Sequence, residues 1–489
     1  MPRSVSAREI VDQHVSATAA RLPHQPAVIE ARANRVDSLS WSQLADSTAR
    51  LAAVFKGALR PGSRPLVAVD ARNSIDSVTA VVALLRAGIP FVPMNPHSPA
   101  LERERLLLNA WEGYGGPVFR LRSTGEGLET WEPATAVVEP PPAPAAPRPH
   151  YILLGGGTTG LPKLVSGWLD DGPMGPMGGY RLLLSRAGWQ VDLRQLIVGP
   201  LYHSAPFSNL MAGILDSHTI ILQGVFTAER TWEVIREQRV EWMQLTPSHM
   251  RLLKSHGTPD PSTLAHVRGV LHTAAPCDAV TKQEWIALLG GDRIFETYSA
   301  TEQIGTTLAS GEDWVTRPGT VGKGFLTQIR IMDEQGRPLP AGRTGIVYMR
   351  RGRGATASAN RPSSVGHLPN GFLTVGDRGR LDEDGYLYLS GRRSDAMQVG
   401  GSNVYASEIE QTILELPGVK DVMVTGEEHP TLGSTPRARV VAEPGRVLAP
   451  AEIRRHCRLR LSAYKVPHII DIVDSLPRSA AGKMERWRI

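Results

Sequence analysis

At 489 residues the chain is too long for one simple core, and about three folding units are expected from the ~100–200 residues of a typical domain. A composition of 41% hydrophobic and 21% charged residues excludes a disordered or fibrous chain. Two cysteines, Cys277 and Cys457, exclude a disulfide scaffold and leave too few thiolates for a cysteine-ligated structural zinc site. The formal net charge of +6 is modest for this length. Basic residues are scattered except in MRRGRGA at 349–355, and no nucleic-acid motif accompanies them, so nucleic acid is not an expected partner. With no run of about 18 apolar residues, and no apolar core behind the first charges, neither membrane insertion nor a signal peptide is expected. A cytoplasmic protein is expected instead.

Residues 40–56 (SWSQLADSTARLAAVFK) place apolar side chains at helical spacing, and PGSR then leads to the strand-like LVAVD. A second helical pattern at 74–87 runs into IPFVPM, and this βα alternation predicts a mostly parallel, layered sheet. Six prolines fall within 139–150, which reads as an extended linker or surface loop. YILL, a buried-strand candidate, follows directly and enters GGGTTGLPK. From 319 to 392 the patterns shorten (QIRIMD, GIVYMR, GYLYLSG), as in a small barrel or sandwich. Beyond 392 they return to α/β, with helices at 408–416 and 450–461 and strands at VMVTG and ARVVAE. Ile453, Cys457 and Leu461 fall at i, i+4, i+8, which places Cys457 in a core.

GGGTTGLPK admits three readings. Gly155, Gly157 and Gly160 form G-x-G-x-x-G after a strand, but a dinucleotide site needs a helix at once, and Pro162, Gly167, Gly172 and Pro173 oppose one. A Walker A loop needs Gly-Lys-Ser/Thr in succession, whereas Leu161 and Pro162 separate Gly160 from Lys163. A glycine- and hydroxyl-rich phosphate cradle survives. Backbone N–H groups of Gly157 and Gly160, the hydroxyls of Thr158 and Thr159 and the charge of Lys163 would face the anion. An ordinary glycine turn is the plain alternative. Only eight of the 54 basic residues are lysine, yet one ends this loop and another, Lys483, sits in SAAGKMER.

At this point the chain resembles the adenylate-forming (ANL) superfamily, in its acyl-CoA synthetase branch, with motifs in order almost end to end. GGGTTGLPK resembles the phosphate loop, PLYHSAP (200–206) the segment whose histidine, here His203, borders the acyl pocket, and HTAAPC (272–277) the adenine-binding segment. ETYSATE (296–302) looks like the motif that contacts AMP and magnesium. VGD (375–377) and GRRSD (391–395) resemble the ribose-binding aspartate and the arginine before a hinge. VGGSNVYASEIE resembles the pantetheine tunnel, and PRSAAGK the catalytic-lysine motif.

The resemblance implies an α/β fold: a large N-terminal region (1–392) of two α/β layered subdomains plus a β-barrel, and a small mobile α+β C-terminal domain (393–489). It implies Lys483, Thr301, Glu302 and His203 as catalytic residues. ATP/AMP and coenzyme A would be held by Gly157, Thr158, Thr159, Gly160, Lys163, Ala274, Ala275, Pro276, Tyr298, Ser299, Asp377, Arg392, Gly400 and Gly401, and Mg²⁺ by Glu302 and Thr158. His203, Phe207, Leu245 and Thr273 would line the substrate pocket; for His203 a purely structural role is the alternative, and for Phe207 and Leu245 a core position is. The implied reaction is a CoA ligation in which an acid is adenylated by ATP, the small domain rotates, and the CoA thiol displaces AMP.

HTAAPC, the WI-x-x-LG stretch at 285–290 and RIFETYSATE resemble ligases of bile-acid and steroid-like acids, so the expected substrate is a bulky apolar, steroid- or terpenoid-like carboxylic acid of secondary metabolism, and the expected protein a monomer or homodimer. Gly155 and Gly156, Leu164, Val375 and Ser394 depart from the family pattern. A variant that only transfers a preformed acyl-adenylate to CoA is therefore one alternative. A dinucleotide-dependent oxidoreductase and an inactive ligand-binding homologue are others.

Overall fold

The structure, a computed structural model, describes residues 7–58, 65–114, 118–121, 128–131, 150–155, 163–167, 169, 174, 177–275, 277–300, 302–352, 366–368, 370–392 and 396–477. Four sheets organise it. The largest has nine strands. Its centre is parallel, running Pro26–Ala31, Thr219–Gln223, Arg194–Ile197, Trp242–Leu245, Gly269–His272 and Ile294–Glu296 from neighbour to neighbour. These short strands are buried along nearly their whole length because helices cover both faces. A six-stranded sheet has a parallel centre too, with Leu66–Asp70 between Val118–Leu121 and Phe91–Met94, and Tyr151–Gly155 beside the latter.

The sequence explains the layer between these sheets. Ser74 is extended, and its hydroxyl accepts the N–H of Ser77, which starts the helix Ile75–Ala87. Asp76 in the first turn and Arg86 in the last suit the helix dipole, and Gly88 ends the helix at φ 70°. Apolar on nearly every face, the helix is buried against residues of both sheets, among them Val69, Phe91, Ile197 and Ile220.

Within 319–392, where a small barrel or sandwich is expected, the described residues include a six-stranded antiparallel sheet: Thr327–Met332, Gly345–Arg351, Asp377–Leu381 and Leu387–Arg392, with Leu373–Thr374 and Gly366–His367 at one end. The last sheet joins Ser402–Tyr405, Ala396–Val399, Gly433–Ala442 and Val419–His429, with Ile469–Ile472 parallel to Gly433–Ala442. It encloses its own core with helices Ala406–Leu414 and Pro450–Arg458. Cys457 is fully buried there, and burial pushes its thiol up to about 12, so it is a packing residue, as its spacing predicts. The division is that of a large and a small domain. The linker at 139–150 lies outside the described residues except for His150, as does the hinge at 393–395. No helix among the described residues is long and apolar enough to cross a membrane.

Candidate active site

A cavity of about 1100 Å³ opens where the parallel strands of the nine-stranded sheet end at their carboxyl termini, and the small domain closes its far side. On the large-domain side, Gly269–His272 runs out into Thr273, whose hydroxyl donates to the Thr297 carbonyl at 2.8 Å and ties two strand ends together. Ala274 follows at φ 77°, a left-handed conformation that costs a residue with a Cβ. Tyr298 lies beyond Ile294–Glu296, and its hydroxyl donates to Asp377 Oδ2 at 2.5 Å, joining two sheets across the cavity wall. Asp377 is buried and begins its strand directly after Gly376, whose φ of 86° makes the turn; its backbone partner in register is Arg392. Ser299 and Ala275 line the same wall.

His203 precedes the helix Ser204–Leu215 without capping it through its side chain. Its Nε2 instead lies 3.1 Å from the Ser402 hydroxyl of the small domain, with the Tyr464 ring 6.4 Å away. Burial, helped by the nearby Lys465 charge, pushes its pKa down to about 4, so the imidazole is neutral. Next to Ser402, Gly400 (φ 58°) and Gly401 (φ 90°) line the cavity. A Cβ on Gly401 would stand 2.5 Å from Cγ2 of Thr246, a contact no side chain tolerates. Thr246 and His249 form a reciprocal cap, each side chain taking the other's backbone N–H at 3.3 Å, so the surface opposing Gly401 is rigid.

Two expected pocket residues are corrected. Phe207 is fully buried, with ring centroids 5.9 Å from Phe91 and 4.9 Å from Tyr151. It shares a helix face with Leu210 and Met211, which points into the core between the sheets. Leu245 is also fully buried, because strand alternation turns it and Met243 toward the covering helices, whereas Gln244 faces the cavity. The apolar part of the wall includes Tyr151, Leu153, Met177, Leu183, Leu271 and Phe325.

Gly157, Thr158, Thr159, Gly160, Pro276, Thr301 and Lys483 lie outside the described residues, and Lys163 and Arg392 are described in their backbone alone. The strand Lys163–Gly167 pairs antiparallel with Tyr151–Gly155, so a strand, where the dinucleotide reading needs a helix, occupies 163–167, which removes that reading.

Two buried charge clusters at the cavity went unread in the sequence. Lys282 donates to Glu296 at 2.9 Å and contacts His272 Nε2, below the adenine segment. Lys465 donates at 2.6 Å both to Glu102 of the large domain and to Glu408 of the small one. Lysine scarcity was the available signal for both.

The donor set suits the family's ligands. A nucleotide would find a phenol, a buried carboxylate and close-approaching backbone at Tyr298, Asp377 and 273–275. The glycine pair lines the same cavity, with Gly401 in close approach to Thr246. Glu302 is half-buried between Ala300 and Gln303, which both line the cavity. No cluster of three or more metal-ligating side chains occurs among the described residues.

Comparison with known proteins agrees. Residues 15–110 and 118–357 match the AMP-binding enzyme family, and 408–483 match the AMP-binding enzyme C-terminal domain. The chain is 30% identical over 375 residues to 2-succinylbenzoate–CoA ligase of Listeria monocytogenes, covering 74% of this chain and 71% of that one. It is 26% identical over 495 residues to the fatty acid–[acyl-carrier-protein] ligase ScoC of Streptomyces coeruleorubidus, covering 95% and 92%. Among solved structures, o-succinylbenzoate CoA synthetase of Bacillus subtilis superposes with a TM-score of 0.78 at 24% identity, covering 97% of both chains. The chain therefore belongs to the AMP-binding enzyme family of adenylate-forming ligases, and is an AMP-forming acid–thiol ligase that uses ATP/AMP, Mg²⁺ and coenzyme A.

Proposed function

We propose that the protein converts a bulky, apolar carboxylic acid to its coenzyme A thioester in two half-reactions. In the first, the acid's carboxylate oxygen attacks the α-phosphorus of ATP, and the bond to pyrophosphate breaks. In the second, the thiol sulfur attacks the acyl carbonyl, the bond to the AMP oxygen breaks, and AMP leaves. Asp377 would accept the ribose hydroxyls, Tyr298 and the segment 273–275 would border the adenine, and Lys483 would stabilise charge during the first step. Glu302 and Thr158 would hold Mg²⁺, which neutralises phosphate charge when bound.

The observation that carries this reading is the small domain's Gly400–Ser402 standing at the cavity opposite Thr246 and His203, with Gly401 so close to Thr246 that a Cβ there would clash. A pantetheine chain would approach along this glycine-lined wall, beside the buried and neutral imidazole of His203. The apolar wall of Leu153, Met177, Leu183, Leu271 and Phe325 favours a large ring-bearing acid, steroid- or terpenoid-like, over a short or amino acid. The large domain would span 1–392 and the mobile one 393–489.

The test is a panel of cholate, cinnamate, decanoate, acetate and phenylalanine with ATP and coenzyme A, read as thioester and AMP. Turnover is expected to be highest for the bulky acids, and a preference for acetate or phenylalanine would overturn the substrate class. The second reading, transfer from a preformed acyl-adenylate alone, is favoured by Leu164 and Val375. Both side chains pack against cores and offer no donor beside the phosphate loop or the ribose site. Turnover of synthetic acyl-adenylate without turnover of acid plus ATP would establish it.

A further inference from the structure

The buried cluster around Lys465 has a construction that the two half-reactions do not by themselves require. Lys465 Nζ is 2.6 Å from Glu102 Oε1 and 2.6 Å from Glu408 Oε1, and all three side chains are about nine-tenths buried or more. Ser462, three residues earlier, donates to the other Glu102 oxygen at 2.6 Å and lies 3.1 Å from the Ser98 hydroxyl. Glu102 belongs to the helix Ala100–Tyr114 of the large domain, whereas Glu408, Ser462 and Lys465 belong to the small one. Lys465 thus has one partner that travels with it and one that does not.

The consequence follows from the cost of burying charge. An ammonium stripped of every partner inside a protein is strongly unfavourable, and so is a lone buried carboxylate. If the small domain leaves this placement, Lys465 keeps Glu408, while Glu102, at the domain boundary, is left to water. Separation therefore strands no buried ammonium, and docking is rewarded by a charge-assisted pair plus a hydroxyl. The surface pair between Arg105 and Glu415, 2.5 Å across the same boundary, is about 40% exposed on both sides and adds little.

The geometry points to Glu102 and Lys465 as a releasable latch that selects the placement in which Gly400 and Gly401 face the cavity, so that they position the small domain for thiol transfer and take no part in adenylation. This rests on the two-step reading above. Lys465 also stands close enough to His203 to depress its pKa, so the latch and the wall beside His203 are set in one movement.

The test uses the full chain and the substitution Glu102→Gln, which keeps shape and removes charge. With the acid from the panel that gives the highest turnover, thioester formation from its synthetic adenylate and coenzyme A is expected to fall about tenfold or more, while ATP–pyrophosphate exchange stays within about twofold. Glu102→Asp should recover part of the loss. A readout independent of substrate is hydrogen exchange by mass spectrometry. Peptides covering 398–402 should exchange faster in Glu102→Gln, and those covering 66–70 and 242–245 should not change.

Equal loss in both half-reactions, or unchanged exchange at 398–402, overturns the latch. Wild-type protein that turns over neither acid nor adenylate would instead overturn the function proposed above, leaving exchange to judge the latch. Should Glu102→Gln fail to fold, Ser462→Ala keeps every charge and should show the same split at about threefold.

Discussion

Two walls face one cavity and are held in different ways. The wall of 273–275, Tyr298 and Asp377 is built wholly inside the large domain: strand register sets His272 beside Glu296, Thr273 is tied to Thr297, and Tyr298 is bonded to Asp377. The wall of Gly400–Ser402 and Lys465 is held at the cavity by contacts across the domain boundary, among them Ser402 with His203, Lys465 with Glu102, and Arg251 with the Thr431 carbonyl at 3.0 Å. Contacts of the first kind persist wherever the small domain sits, while those of the second kind exist in one placement. Under the proposed function, the first wall serves both half-reactions and the second only thiol transfer.

Breaking the first wall should therefore damage both steps. Asp377→Ala removes a buried carboxylate that would accept ribose hydroxyls, and charged hydrogen bonds of about 1.5–3 kcal/mol each predict a loss of about 10- to 100-fold in kcat/KM for ATP for each such bond removed. The same variant should also slow thioester formation from a supplied adenylate, as measured by thioester release. Loss confined to the ATP step would separate Asp377 from the adenylate.

A smaller effect, on stability, sharpens the comparison through pH. His203 and His249 at the cavity and His218 in the large-domain core are each held down to about 4, chiefly by burial, against an ordinary 6.5. Above pH 6.5 they are neutral both folded and unfolded. Below it the unfolded chain takes up protons that the folded chain refuses, so stability is fully present above about 6.5 and drains away as pH falls toward 4. The Tm should fall between pH 7 and pH 5. His218→Gln, removed from both walls, should lessen the fall, and a flat Tm would show that these imidazoles are not held neutral.

Local signals were legible because they depend on neighbours in sequence. Ser74 and Gly88 bracket their helix as cap chemistry requires, Leu66–Asp70 reads as a strand, and the period of Cys457 places it in a core. Motif order exposed the first wall for the same reason. Phe207 and Leu245 misled because, in a layered α/β fold, apolar residues beside a cavity and apolar residues behind it look alike. Only strand alternation and the helix face send them to the core and Gln244 to the cavity. The Lys465 pair was out of reach, since its partner Glu102 is 363 positions away. The rarity of lysine marked Lys465 and Lys282 as plainly as it marked Lys163 and Lys483, but rarity names no partner.

The most direct test of the difference between the walls is Gly401→Val, assayed on each half-reaction separately. At φ 90°, with Thr246 Cγ2 2.5 Å from where a Cβ would stand, the added side chain must displace Gly400–Ser402 or Thr246. The account predicts ATP–pyrophosphate exchange within about twofold of wild type, with thioester formation from synthetic acyl-adenylate and coenzyme A reduced about 100-fold. Equal reduction of both, or thioester formation at the wild-type rate, would contradict it.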